Sequence, residues 1–86
     1  MAVLSIRAPL RALAGGRGEH QLRGETVAEL LREFEAANPD ARGWILDERG
    51  QIRRHINVFV SGERAAEQTS VAPDDRVEVI PAITGG

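Results

Sequence analysis

One amphipathic helix has to be housed among strands, and that requirement restricts the folds open to this chain more than any other feature. Thr26-Val27-Ala28-Glu29 reads as a capping box, with the Thr26 hydroxyl covering an orphan amide and Glu29 reaching back to the Thr26 backbone. Val27, Leu30, Leu31, Phe34 and Ala37 follow at helical spacing and make one apolar stripe that must pack on something. Asn38-Pro39 ends the helix, since asparagine tolerates the left-handed conformation and the residue before proline is pushed out of the helical region.

The segments around the helix alternate with period two. Val3 to Ala8 predicts a strand with Leu4 and Ile6 on one parity, ending near Pro9. Gly15-Gly16-Arg17-Gly18 reads as the turn of a hairpin returning through Glu19 to Leu22. It is no phosphate loop, which would need a lysine after its last glycine. From Asp40 to Arg54 the pattern is irregular, with Trp44, Ile45 and Leu46 as an apolar cluster before an Asp47-Glu48-Arg49-Gly50 turn. Ile56, Val58 and Val60 share one strand parity and Asn57 and Phe59 the other, with a turn at Ser61-Gly62. After a weak short strand and the Pro73-Asp74-Asp75 turn, Val77 and Val79 point one way and Glu78 and Ile80 the other, and Pro81 ends the strand.

Those stripes are satisfied by layers. The helix covers the sheet face made by Leu4, Ile6, Ile56, Val58, Val60, Val77 and Val79, giving an α+β fold with four to five strands. Phe59 and Ile80 then lie on the other face, beside Asn57 and Glu78. They are either covered by a loop or form a docking patch for a partner.

Composition narrows the function. A chain of 86 residues is one domain that buries roughly 60–65% of its surface. We expect residues 1–81 to form that domain and 82–86 a flexible tail. The absence of cysteine removes disulfides, thiolate metal sites and a cysteine nucleophile. His20 and His55 have no ligand spacing and read as ordinary surface histidines, so no metal site is expected. A net charge of −2 without a basic block gives no footprint for nucleic acid or an anionic membrane. No apolar run approaches a membrane span and the first residues form no cleavable leader, so a cytoplasmic location is expected. All 11 basic side chains are arginine, which leaves no lysine for isopeptide-linked chains of this protein.

The sequence closes on Pro81-Ala82-Ile83-Thr84-Gly85-Gly86. Gly85 and Gly86 have no Cβ, so this end can enter a narrow channel, and its carboxylate is uncrowded. Pro81 presets the direction of exit, Ile83 and Thr84 offer side chains to a channel, and an extended Ala82–Gly86 spans roughly 17 Å.

The hairpin, the capped helix, Arg54-His55-Ile56-Asn57-Val58-Phe59-Val60-Ser61-Gly62-Glu63, Pro73-Asp74-Asp75-Arg76-Val77-Glu78-Val79-Ile80-Pro81 and the final Gly-Gly together resemble the MoaD/ThiS ubiquitin-like sulfur carriers. The likeness spans nearly the whole chain. Ser61 stands where the family often has Asn or Asp, and Thr84 where it often has Ala. The resemblance implies a β-grasp fold and a Gly86 carried as a thiocarboxylate. The 47–57 segment is most similar to carriers of molybdopterin formation and of a cysteine-synthesis route.

A carboxylate is a poor electrophile, so Gly86 needs activation as an acyl-adenylate. The chain has no binding parts for ATP, so ATP and Mg²⁺ belong to a partner, a ubiquitin-activating-type adenylating enzyme. A sulfur donor would then replace AMP, and a downstream enzyme would accept the sulfur. The domain is on this reading a cosubstrate and not an enzyme. A ubiquitin-like modifier joined through Gly86 to target lysines begins with the same adenylate and stands as the alternative, and a pure interaction domain with an idle tail is a third.

Overall fold

The computed structural model describes residues 1–7 and 10–81. The expected strand exit at Pro9, and the tail calls at Ile83, Thr84, Gly85 and Gly86, lie outside the described residues. Five strands are formed, β1 (Ala2–Ile6), β2 (Glu19–Leu22), β3 (Ile56–Val60), β4 (Glu63–Arg64) and β5 (Arg76–Pro81), together with one α-helix, Val27–Ala37. They make one sheet in the order β2-β1-β5-β3-β4. β1 and β5 are parallel and every other pairing is antiparallel, so the sheet is mixed. A parallel pair cannot be joined by a tight turn. The helix and β3 occupy the long connection between β1 and β5.

The helix stripe and the inward parity of the strands meet in one core. Leu4, Val27, Leu30, Leu31, Phe34, Val77 and Val79 are fully buried, with Ile6, Ile56, Val58 and Val60 beside them. The Thr26 side chain accepts from the Glu29 N–H at 3.3 Å, as the capping box requires. Glu29, however, reaches the Glu25 N–H and the Thr26 hydroxyl, each at 3.4 Å, and not the Thr26 backbone. The carbonyls of Thr69 and Glu67 take the Val27 and Ala28 amides instead.

The glycine turn and the antiparallel return through Glu19–Leu22 are as expected, with Gly15 and Gly16 at φ 67° and 80°, and an unexpected 3-10 helix, Leu10–Ala14, precedes the turn with Leu10 and Ala14 buried in the core. Three local expectations are corrected. Asn38 is not left-handed, at φ −132°; it ends the helix by placing both its backbone N–H and its side-chain amide 3.0 Å from the Phe34 carbonyl. Ala37 is exposed, while Glu35 is buried. His20 is no surface histidine, because β2 turns it into the core, edge-on to Phe34 at 5.0 Å with its Nε2 3.0 Å from the Arg17 carbonyl.

Candidate docking face and tail root

β5 delivers the chain to the tail from inside the sheet. It lies between β1 and β3, and its last residue, Pro81, is paired with Ile56 at the start of β3. β1 pairs with β5 from Arg76 to Val79, and Ile80 and Pro81 beyond it are held by the β3 ladder through Asn57 and Ile56.

Phe59 and Ile80 are on the face opposite the helix, as strand parity requires. Phe59 is paired with Glu78 and Ile80 with Asn57, which makes the two apolar side chains diagonal neighbours about 7–8 Å apart. Both are half-buried, as are Asn57 and Glu78. Polar groups frame them. Arg64 donates to the Asn57 side-chain oxygen at 2.8 Å, Arg7 meets Glu78 at 3.2 Å, and Arg76 meets Glu19 at 2.6 Å. Such exposed ion pairs contribute about 0–1 kcal/mol each. Their role here is geometric: they tie down long side chains around an apolar centre. Such a face suits docking, with Ile80 immediately before Pro81 at the tail root.

The turns bounding the face are set by their own chemistry. Ser61 and Gly62 both have positive φ, 48° and 88°, the pattern of a tight hairpin between β3 and β4. The Ser61 hydroxyl donates to Asp75 at 2.7 Å and the Ala72 N–H donates to the other oxygen of Asp75 at 2.8 Å. These bonds, the Ala72 amide first, hold the Asp75 carboxyl below its ordinary range. Asp47 is lowered likewise, first by the Gln51 N–H, in the turn before Gly50.

The irregular stretch after the helix is fixed by two glutamates that sequence reading passed over. Glu35 Oε2 accepts from the Leu46 N–H at 3.1 Å and the Ile45 N–H at 3.4 Å. Glu67 Oε2 accepts from the Ile52 N–H at 2.8 Å. The available signal was a glutamate on the buried side of the helix facing a segment with few ladder partners. Ile45 and Leu46 are buried as a result, while Trp44 stays exposed. Among the described residues no cluster of three or more His, Asp or Glu is placed to hold a metal ion, and no helix is long and apolar enough to cross a membrane.

Comparison with known proteins agrees with this architecture. The ThiS family model matches residues 4–86. The sulfur carrier protein CysO of Mycobacterium tuberculosis is 27% identical over 89 residues, covering 96% of each chain. Among solved structures, the Amycolatopsis orientalis BexX/CysO complex contains a chain that matches with a TM-score of 0.90 at 27% identity, over 100% of both chains. SAMP1 from Haloferax volcanii matches with a TM-score of 0.83 at 29% identity, over 99% of this chain and 98% of its own. The five-stranded mixed sheet on one helix is thus a β-grasp fold, and the chain belongs to the ThiS family of ubiquitin-like sulfur carriers.

Proposed function

We propose that the protein carries sulfur on Gly86. A partner enzyme joins the Gly86 carboxylate to AMP, using ATP and Mg²⁺ and releasing pyrophosphate. Sulfur at the sulfide level, as hydrosulfide, then attacks the acyl carbon, displaces AMP and gives up its proton, leaving a thiocarboxylate. The thiocarboxylate is a soft anion at neutral pH and a strong nucleophile, for the reason a thiolate of low pKa is. A downstream enzyme takes the sulfur into a product such as a molybdopterin precursor or a cysteine-type metabolite. Gly85 keeps the end thin enough for a channel, Ile83 and Thr84 are read there, and Phe59, Ile80 and Pro81 seat the domain on the activating enzyme.

The single observation that carries this reading is the similarity to sulfur carriers along the chain, 96% of it for CysO and residues 4–86, through Gly85-Gly86, for the family model. The adenylation step is tested by pyrophosphate exchange into ATP with the adenylating enzyme of the same organism. Exchange should depend on the chain and vanish when Gly86 is deleted. Exchange at the full rate with the deleted chain would refute the assignment.

The similarity to SAMP1, a small archaeal modifier protein in another structure of the Haloferax protein, favours a second reading in which Gly86 is joined to target lysines. The lack of lysine would then rule out chains of this protein linked through its own lysines. Adducts on other proteins in a cell extract, with no thiocarboxylate on the free chain, would select that reading.

A further inference from the structure

Trp44 and Met1 are the large apolar residues left exposed among the described residues, and Trp44 is 53% exposed. Its outward position is built into the loop. The next two residues, Ile45 and Leu46, are buried with their amides held by Glu35, and Gly43 before it turns the chain at φ +84°. The indole therefore stands out from a rigid base. It borders, with Gly43, Arg53 and His55, an open hollow of about 270 Å³. Arg53 is fixed there, since its backbone N–H donates to the Ile45 carbonyl at 2.9 Å and its side chain bonds the Gly43 carbonyl.

Two further observations say what covers this surface. His55 immediately precedes Ile56, the residue paired with Pro81, so the hollow lies at the end of the sheet where β5 gives way to the tail. The 42–55 stretch carries Arg42, Arg49, Arg53 and Arg54 against Asp47 and Glu48, in a protein whose net charge is −2. Of these, Arg53 borders the hollow with Trp44 and His55, while Arg49 lines a separate hollow with Ala28 and Arg32.

Resting on the sulfur-carrier reading above, we propose that Trp44, Arg53 and His55 form a second docking point for the enzyme that takes the tail. An enzyme closed around Gly86 has to reach back toward Pro81, and so it abuts the residues paired with Pro81. The surface fits a partner that presents an apolar cleft flanked by carboxylates at the mouth of its tail channel: the indole fills the cleft and the arginines meet the acids. The two residues after Trp44 are tied to the helix through Glu35, whereas Phe59 and Ile80 are on the sheet face away from the helix. The two contacts therefore grip the tail root from both sides, which fixes the direction in which the tail enters.

Trp44 is the sole tryptophan, so 5-fluorotryptophan places one fluorine probe at this surface. The probe partner is the adenylating enzyme encoded in the same genome, titrated against the full chain, with initial rates of adenylate formation measured in parallel. The fluorine resonance should shift and broaden on adding enzyme. Trp44→Ala should raise KM about tenfold or more at constant kcat, Trp44→Phe should recover most of that loss, and Arg54→Glu should raise KM more at low salt than at high salt. Arg54 is exposed, so its variant reports on docking even if Trp44→Ala perturbs folding. An unchanged KM for Trp44→Ala and Arg54→Glu, with the parent chain adenylated normally, would overturn the docking point and leave the carrier reading intact. No adenylation of the parent chain by an enzyme active on its own carrier would overturn both. A fluorine resonance that moves with the chain's own concentration, without enzyme, would assign the surface to a second copy and also overturn the proposal.

Discussion

Replacing Glu35 by alanine removes the acceptor on which the loop carrying Trp44 depends. The Glu35 carboxylate is buried, and its Oε2 takes the Leu46 N–H at 3.1 Å and the Ile45 N–H at 3.4 Å, two amides beside fully packed side chains. A buried donor stranded without a partner costs about 1–3 kcal/mol, and the longer bond belongs at the low end of that range. Helix propensity returns only a few tenths of a kcal/mol, because glutamate is already a good helix former. The net loss is about 2–4 kcal/mol, a large share of the ~5–15 kcal/mol that holds a small domain together. In a domain of this size each kcal/mol lowers Tm by about 4–8 °C, so urea melts and thermal melts both resolve it. Glu35→Gln keeps an acceptor oxygen and should lose about 1 kcal/mol. Hydrogen exchange adds the local readout, with the Ile45 and Leu46 amides losing protection in Glu35→Ala before the sheet does. A loss below about 0.5 kcal/mol, with both amides still protected, would refute the reasoning.

Leu31→Ala and Phe34→Ala should each cost about 2–5 kcal/mol in a urea melt, since both side chains are fully buried, and a variant that stays at parental stability yet fails to pair with its enzyme would place the stripe at an interface. Phe59→Glu and Ile80→Glu should leave the melt nearly unchanged, because both side chains are on the face away from the helix, and should weaken enzyme binding sharply by setting a carboxylate against an apolar partner. A collapsed melt would instead assign them to the core. Asp75 is held below its ordinary value of 3.8 by the Ala72 amide and the Ser61 hydroxyl. A carboxyl depressed in the folded state contributes stability that is present above 3.8 and is lost as pH falls through the lower folded value, so Asp75→Asn should flatten the acid limb of the stability profile, and an unchanged limb would contradict this.

Much of the layer architecture was legible because its signals are periodic. The capped stripe from Val27 to Phe34 and the parities of β1, β3 and β5 each specify a buried side, and the buried sides can meet in few ways. What escaped was nonperiodic. Leu10–Ala14 is too short to show a helical stripe, and its 3-10 turn is decided by the space it fills in the core. His20 lies in a four-residue strand, where β2 pairing, and not composition, turns it onto Phe34. Glu35 and Glu67 act on backbone amides far along the chain, a relation that no local pattern encodes. Of the candidate site, Phe59, Ile80 and Pro81 were readable from parity and from the end of β5. The outward position of Trp44 was not, because an apolar triplet gives no indication of which member is turned outward.

Conversion of Gly86 to a thiocarboxylate is tested most directly by intact-mass spectrometry of the protein. The chain is incubated with ATP, Mg²⁺, its adenylating enzyme and sulfide, beside a chain lacking Gly86. The full chain should gain the mass difference of one sulfur replacing one oxygen, located at Gly86 by fragmentation, and the shortened chain should not change. A full chain that stays at its starting mass while the enzyme thiolates its own carrier would contradict that conversion.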